Sequence, residues 1–507
     1  LFQQLLGQFT ATDRLFQLTT TLGEDALLVE SVRGLESVFD APLPIGAQGL
    51  LPDARQFPPG SWVEQQHAVP QPMLGNIPIW PSLQGPAPQP AMALFTGYRL
   101  LVTVVAPTAH DNLHALLGTP ALLAMQTGLS RNTRRPFHGH ITEVCSQGSN
   151  GGLARYQLVI EPWLSFLRLN RDSWVFQEQT VPDILDTLFR DYQGKGQLVP
   201  DWRFKLLDRG IYPQRSLITQ YQESDWHFVA RLMQAEGLFG WFEHQDDRHT
   251  LVISDRMSFD SACQANPESP IRYHRGAATE TRDTFQHWQE QVTRQPGQVR
   301  LASYDYRTLS PNTVEAASLL PHCRRSPGTT QHVDHVSHYA WVNQADGQRR
   351  ADNLQAGFDV LARHCQATGT VRTLAPAQTF QLNQYPRYGD GARVRVLSVL
   401  HEGRNNLQAD LQALLHQAFA QPGSPAQPQV EFYRNQSLCL EAGVDQGDRH
   451  YDLPYSPPLP RHFDKPTASG SQTATVVGQA GRPLDTDRNH RVKLQFHWQR
   501  GQRSHNR

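Results

Sequence analysis

The sequence predicts a mainly β fold with short helices, an α+β arrangement of two antiparallel, barrel-like bodies. Three observations carry that expectation. Most apolar segments are short runs rich in Val, Ile, Leu, Thr and Tyr, several of them alternating apolar with polar residues. Helical periodicity is confined to a few lone stretches, and Pro- and Gly-rich breaks separate the segments.

Leu15–Thr20 alternates, Gly23-Glu24-Asp25 reads as a turn, and Ala26–Glu30 returns, so a hairpin is expected, with Val32–Asp40 continuing as a strand. From Ala41 to about Ala93 the composition shifts to Pro, Gly and Gln. Proline lacks the donor a strand ladder needs, so a long surface insertion is expected here. Trp62, Ile77, Ile79 and Trp80 interrupt it, and two readings stand: they pin the excursion to the body or a neighbouring subunit, or they are incidental in a loose linker. Tyr98–Val105 is a strand, Asp111–Gly118 a short helix stopped by Gly118 and Pro120, and Ala121–Met125 and Pro136–Val144 are strands. Ala154–Glu161 alternates as a half-buried strand. Thr180 caps a helix carrying Pro182 and Asp183 in its first turn and Ile184, Leu185, Leu188 and Phe189 on one stripe.

Gln214–Asp255 is the most legible stretch. Arg215–Tyr221 has strand composition, Ser224 offers a helix cap, and Trp226, Val229, Leu232, Met233 and Leu238 step by three and four, with Gln234 and Glu236 facing outward. Gly237 closes the helix, and Leu238–His244 with Leu251–Asp255 forms a hairpin. Beyond it, Thr284–Trp288 and Gly297–Tyr306 are strands, Asp346–Cys365 is a helix, and Thr370–Leu382 and Arg393–His401 are closing strands. A break at Ala418–Gln429, a strand beginning at Tyr433, and a Pro-rich linker at Pro454–Pro466 precede two alternating segments, Ser471–Gly478 and Arg491–Trp498.

At 507 residues, two to four domains are expected. The 46 basic residues balance 47 acidic ones, so no global field draws the chain to nucleic acid or an anionic membrane. No apolar run is long enough to span a bilayer, and the N-terminal residues lack a signal peptide's pattern, so folding in the cytoplasm is expected. Leu1 is not an initiator and the C-terminus falls inside a motif, which points to a fragment. Five scattered cysteines, Cys145, Cys263, Cys323, Cys365 and Cys439, read as reduced thiols rather than a zinc or disulfide framework. Chemistry is not advertised. The HExxH, GxSxG and phosphate-loop patterns are absent, His138 and His140 on one strand face are too few for structural zinc, and His332, His335 and His338 would splay along an extended chain. No catalytic, cofactor-binding or metal residue is assigned, and no cofactor.

Tyr221-Gln-Glu-Ser-Asp-Trp-His-Phe228 and the segment continuing to His244 resemble the hallmark of VgrG, the spike protein of bacterial type VI secretion, a family built like the hub and spike of contractile phage tails. Gly34–Phe39, Pro136–Val144, Arg171–Trp174 and Val299–Tyr306 are similar to further family segments in the expected order. The family runs almost directly from a segment like Phe39-Asp40 to one like Gly97-Tyr98, so the Pro-rich stretch is a departure. So are His490, where a glycine usually stands, and Gln499, where an aspartate does. The resemblance implies a hub over 1–417 with two barrel-like subdomains and the insertion at about 41–93. Connecting strands and linker would follow over 418–466, then the start of an OB-fold neck over 467–507, the β-prism needle not included. It implies a non-enzymatic homotrimeric tip that caps a secreted tube, breaches membranes and delivers effectors. Its partners would be a hexameric tube protein, a tip-sharpening cap protein, effectors or adaptors, and baseplate contacts, with no nucleic acid. Assembly would occur in the bacterial cytoplasm, followed by export through the contractile machine. The alternatives are a phage-tail hub or related injection particle, and a spike with a fused hydrolytic domain beyond Arg507.

Overall fold

The computed structural model describes residues 14–23, 26–53, 73–74, 77–78, 90–107, 113–150, 153–255, 264–275, 282–305, 310–324, 330–338, 340–388, 391–407, 411–413, 415, 419, 432–446, 449–452, 454–455, 466, 468, 470–478, 481, 486–487 and 490–499. The fold is mainly β with few helices, as expected. Its spine is a 13-stranded sheet. One wing holds β1 (Phe16–Thr19), β2 (Leu28–Ser37), β3 (Tyr98–Ala106), β4 (Pro120–Gln126), β5 (Arg134–Asn150) and β6 (Leu153–Glu161), in the order β1-β4-β5-β6-β3-β2. Beside it three smaller groups form. They are β7 (Arg171–Phe176) with β9 (Ile218–Ser224), the helices α1 (Val181–Arg190) and α2 (Asp225–Glu236), and a sheet of β8 (Asp201–Lys205), β10 (Phe239–His244) and β11 (His249–Ser254). Next come β12 (Phe285–Val292), then a three-stranded sheet of β13 (Gln298–Asp305), β14 (Ser310–Ala317) and β15 (Gln331–His338), backed by α3 (Gln344–Ala362). The other wing is completed by β16 (Arg363–Gly369), β17 (Gln378–Asn383), β18 (Ala392–Arg404) and β19 (Tyr433–Glu441), and β2 pairs antiparallel with β18 to join the wings. Finally β20 (Ala474–Val477) pairs with β21 (Lys493–Phe496).

The central stretch folds as its residues dictate. The Ser224 hydroxyl accepts the His227 N–H, Gly237 takes the left-handed conformation at φ 73°, and the chain turns straight into β10. Trp226, Val229, Leu232 and Met233 are buried, worth roughly 6–12 kcal/mol as an upper bound. Thr180 caps α1 by accepting the Asp183 N–H.

Several expectations are corrected. Glu236 does not face outward: it is 2 % exposed and its carboxylate joins Arg215 (2.7 Å) and Arg349 (2.6 Å), tying α2 to α3. The strand before α2 begins at Ile218 rather than Arg215; Arg215 forms an isolated main-chain bridge with Gln179, and its side chain reaches Glu236. The N-terminal hairpin does not form a ladder, although Thr20 and Gly23 close its turn. β1 pairs with β4 instead, and the Asn405 side chain takes both the Phe16 N–H (2.9 Å) and the Phe16 carbonyl (2.9 Å) that β2 would otherwise bond. The long helix ends at Ala362, not Cys365, since Arg363 turns extended to bond Glu290 and Glu441 across the sheet. Thr370–Ala377 is consequently a loop, and the strand there is Gln378–Asn383. The expected helix near Leu113 is a single 3-10 turn, Leu113–Leu116, and Asp111 lies outside the described residues.

The start of the Pro-rich stretch packs on the core. Ala41, and Ala47 and Leu50 of the 3-10 turn Ala47–Leu50, are buried, Leu50 in one cluster with Leu35 and Leu400. Trp62, Ile79 and Trp80 lie outside the described residues, and Ile77 sits in a two-residue strand pairing with Leu74. At the far end, His490 adopts φ 60°, the left-handed conformation a glycine takes most easily. Gln499 Oε1 accepts the Phe496 N–H at 2.6 Å.

Candidate functional site

The densest polar constellation lies where the β10–β11 hairpin packs on the first wing. A two-residue repeat puts His138 and His140 on one face of β5, and the antiparallel hairpin sets His244 opposite His249. All four are buried or nearly so. His249 is 0 % exposed, and its Nε2 accepts the Trp163 main-chain N–H at 2.9 Å. Its proton therefore sits on Nδ1, which donates to His138 Nδ1 at 2.9 Å. His140 Nε2 lies 3.3 Å from both the Val199 N–H and the Gln197 carbonyl. His244 Nδ1 donates to the His138 carbonyl at 3.1 Å, an oxygen that also accepts the Tyr98 hydroxyl at 2.7 Å. Burial, reinforced by the neighbouring imidazoles, holds His138 down to about 4 and His249 well below the usual imidazole range, and burial holds His140 down to about 4.

A carboxylate node adjoins this cluster. Glu36, on β2, accepts from His401 Nε2 at 2.8 Å, faces His244 Nε2 at 3.2 Å and pairs with Arg135. The Tyr433 hydroxyl donates to His401 Nδ1 at 2.6 Å, which fixes that ring's tautomer. Burial alone would raise the Glu36 carboxyl, but Arg135 and the two histidines hold it well below the ordinary value. A second buried carboxylate, Glu161, is held by Arg168 at 2.8 Å and by Thr142.

This arrangement binds elements together rather than presenting a reactive group. The nitrogens of His138 and His249 that face each other are spent on their mutual bond, and the main chain takes those of His140 and His244 nearest to it. A cleft of about 380 Å³ runs beside it, lined among others by Thr127, Arg134, Arg135, Trp241, Glu243 and His244. Arg135 and Glu243 are each neutralised, by Glu36 and by Arg203. His138 and His140 thus gain a third histidine that sequence reasoning missed, yet no metal-holding group of three or more His, Cys, Asp or Glu forms among the described residues. His332 and His335 lie along β15 with His335 exposed and the His332 ring against Phe358. Glu36, the hairpin pair His244 and His249, and His401 are far apart in sequence, and only the strand topology brings them together.

Residues 93–407 match the phage tail baseplate hub (GPD) family. The chain belongs to that family. This baseplate hub chain is 31% identical over 401 residues to the type VI secretion system spike protein VgrG1b of Pseudomonas aeruginosa, covering 77% of this chain and 48% of that one. It is 29% identical over 382 residues to the actin cross-linking toxin VgrG1 of Vibrio cholerae, covering 73% of this chain and 31% of the toxin. Among solved structures, a component of the E. coli type VI secretion system described as similar to bacteriophage T4 tail proteins has the same fold. Its TM-score is 0.52 at 15% identity, with 93% of this chain and 86% of that one covered. The resemblance to VgrG is borne out. The chain spans about half the length of the curated spike relatives it matches.

Proposed function

We propose that this hub is the base and beginning of the neck of a type VI secretion spike, and that its work is mechanical. In this reading the hub occupies 1–417, the linker 418–466 and the start of the OB-fold neck 467–507. Three copies form a homotrimeric ring that docks on a hexameric tube protein, contacts the baseplate and leads to a needle bearing a cap protein and effectors or adaptors. The chain folds in the bacterial cytoplasm and leaves through the contractile machine. Homology to VgrG1b over most of this chain is the observation that carries the reading. Its physical support is rigidity: one sheet runs through both wings, and polar groups at its seams are bonded to each other. No catalytic or cofactor residue is required for such a role.

Two measurements test it. Light scattering on the full-length protein gives three times the monomer mass, and a stable monomer at micromolar concentration overturns the reading. Deleting the gene abolishes appearance of the tube protein in the medium, and continued release in the deletion strain overturns it equally. A second reading, a spike carrying a fused effector, is favoured by the relative named as an actin cross-linking toxin. A globular domain with its own activity beyond residue 507 supports that version.

A further inference from the structure

The histidine seam has a directional chemistry that rigidity alone does not require. His249 and His138 are held as neutral rings by the direction of their bonds. His249 Nε2 must accept from Trp163 and its Nδ1 must donate to His138. A further proton on His249 can go only to Nε2, where it meets the Trp163 N–H head on. A further proton on His138 at Nδ1 meets the His249 N–H in the same way. Each proton gained therefore breaks one of the bonds that hold β11 to β5 and to the Trp163 turn.

The surroundings offer a new cation little compensation. From β5 come His138 and His140, and from the hairpin His244, with ring centroids 5.2 to 6.4 Å from His249. β3 contributes the neutral Tyr98 ring at 5.8 Å. The nearest acidic influence on His138 is Asp247, in the exposed hairpin turn. Glu36 is reached only through His244 and is already bound by Arg135 and His401. From β6, Glu161 is committed to Arg168, Arg99 and Thr142, and from β8 Asp201 accepts the Thr250 hydroxyl.

We propose that this seam is a proton-operated latch: protonation of the His138–His249 pair in mildly acid surroundings frees the β10–β11 hairpin from β5 and opens the body along the adjoining cleft. The ladders within the hairpin, and between β11 and β8, contain no titrating bond and stay intact. Because the folded-state histidines are depressed below the ordinary imidazole value, the seam is fully held above about pH 6.5 and weakens as pH falls toward 4. The inference stands on the seam's own geometry and holds whether or not the chain caps a tube.

Hydrogen exchange on the full-length protein, corrected for intrinsic rates and compared between about pH 7 and about pH 4.5, tests the latch. Peptides reporting the Trp163 amide, bonded to His249, and the Val199 amide, bonded to His140, lose protection by roughly tenfold or more at the lower pH. Peptides covering β13 and β14 change by less than about twofold, and neutral pH restores the original pattern. In His249→Gln, whose amide oxygen can still accept from Trp163 without an acid-labile ring, the Trp163 amide stays protected at the lower pH. If that variant does not fold, His138→Gln is scored by the same comparison, and the wild-type pattern decides alone if neither folds. Equal protection at both pH values, a uniform loss across all peptides, or an undiminished opening in the folded variant each overturns the latch.

Discussion

Two regions of this molecule carry closely spaced histidines and use them in opposite ways. On β5, His138 and His140 are covered by the β10–β11 hairpin, with His138 Nδ1 bonded to His249 and His140 Nε2 to the main chain. On β15, His335 is exposed beside Asp334 and Val333, the last 53% exposed, on the edge of a three-stranded sheet. The difference lies in what covers the strand: β5 is an inner strand with a second layer across it, whereas among the described residues β15 pairs with β13 alone. Spacing along a strand decides which side chains share a face, and only the layer above decides whether that face has chemistry.

The largest expected effect separates the two regions by pH. His138 and His140 are both held at about 4, so the unfolded chain takes up protons near pH 6.5 that the native seam refuses. Stability is complete above pH 6.5 and falls by about 4–6 kcal/mol for the two together as pH drops to 4. Thermal unfolding across that range reads the loss directly. A flat profile between pH 6.5 and 5 would mean that the seam does not resist proton uptake.

Next in size is Glu36→Ala. The carboxylate is 2 % exposed, and its loss leaves Arg135 and His401 facing each other in the core. Removing one partner of a buried ion pair costs about 3–5 kcal/mol, measured as a shift in the denaturant midpoint at neutral pH. A loss under about 1 kcal/mol would mean that packing alone holds the seam.

Smaller still is Gly237→Ala, at the turn that feeds the hairpin into the seam. The residue has φ 73°, and an added Cβ would lie 2.0 Å from Asn353 Nδ2. The Asn353 side chain can move aside but the backbone strain stays, so the cost is about 1–2 kcal/mol. The double variant with Asn353→Ala recovers only the part due to the clash, which a denaturation cycle of the four proteins resolves.

The same contrast explains what the sequence could and could not reveal. The α2–β10 turn was legible because its determinants are local: Ser224 caps three residues on, and Gly237 supplies the left-handed backbone. Thr180 with Asp183 was legible for the same reason. The hub family was recognisable because those local signals occur in a fixed order along the chain. Glu236 was misjudged because its burial depends on Arg349, 113 residues away. β1 was given the wrong partner because Asn405, 389 residues on, satisfies the Phe16 main chain. The seam is the extreme case, since Glu36, His138, His249 and His401 each come from a different strand, and no periodicity or short motif carries information about which strands meet.

The smallest expected effect completes the comparison from the side of the edge strand. His335 is exposed, and among the described residues its strand is bonded on one side, so burial does not depend on the ring. His335→Ala should change stability by no more than about 0.5 kcal/mol. The loss from pH 6.5 to 4 should be the same in this variant as in the parent, because the exposed ring lies outside the covered seam. The informative measurement is therefore the difference between two pH profiles rather than either midpoint. If the His335→Ala profile flattened, the exposed strand would be coupled to proton uptake, and the acid response could no longer be assigned to the covered seam.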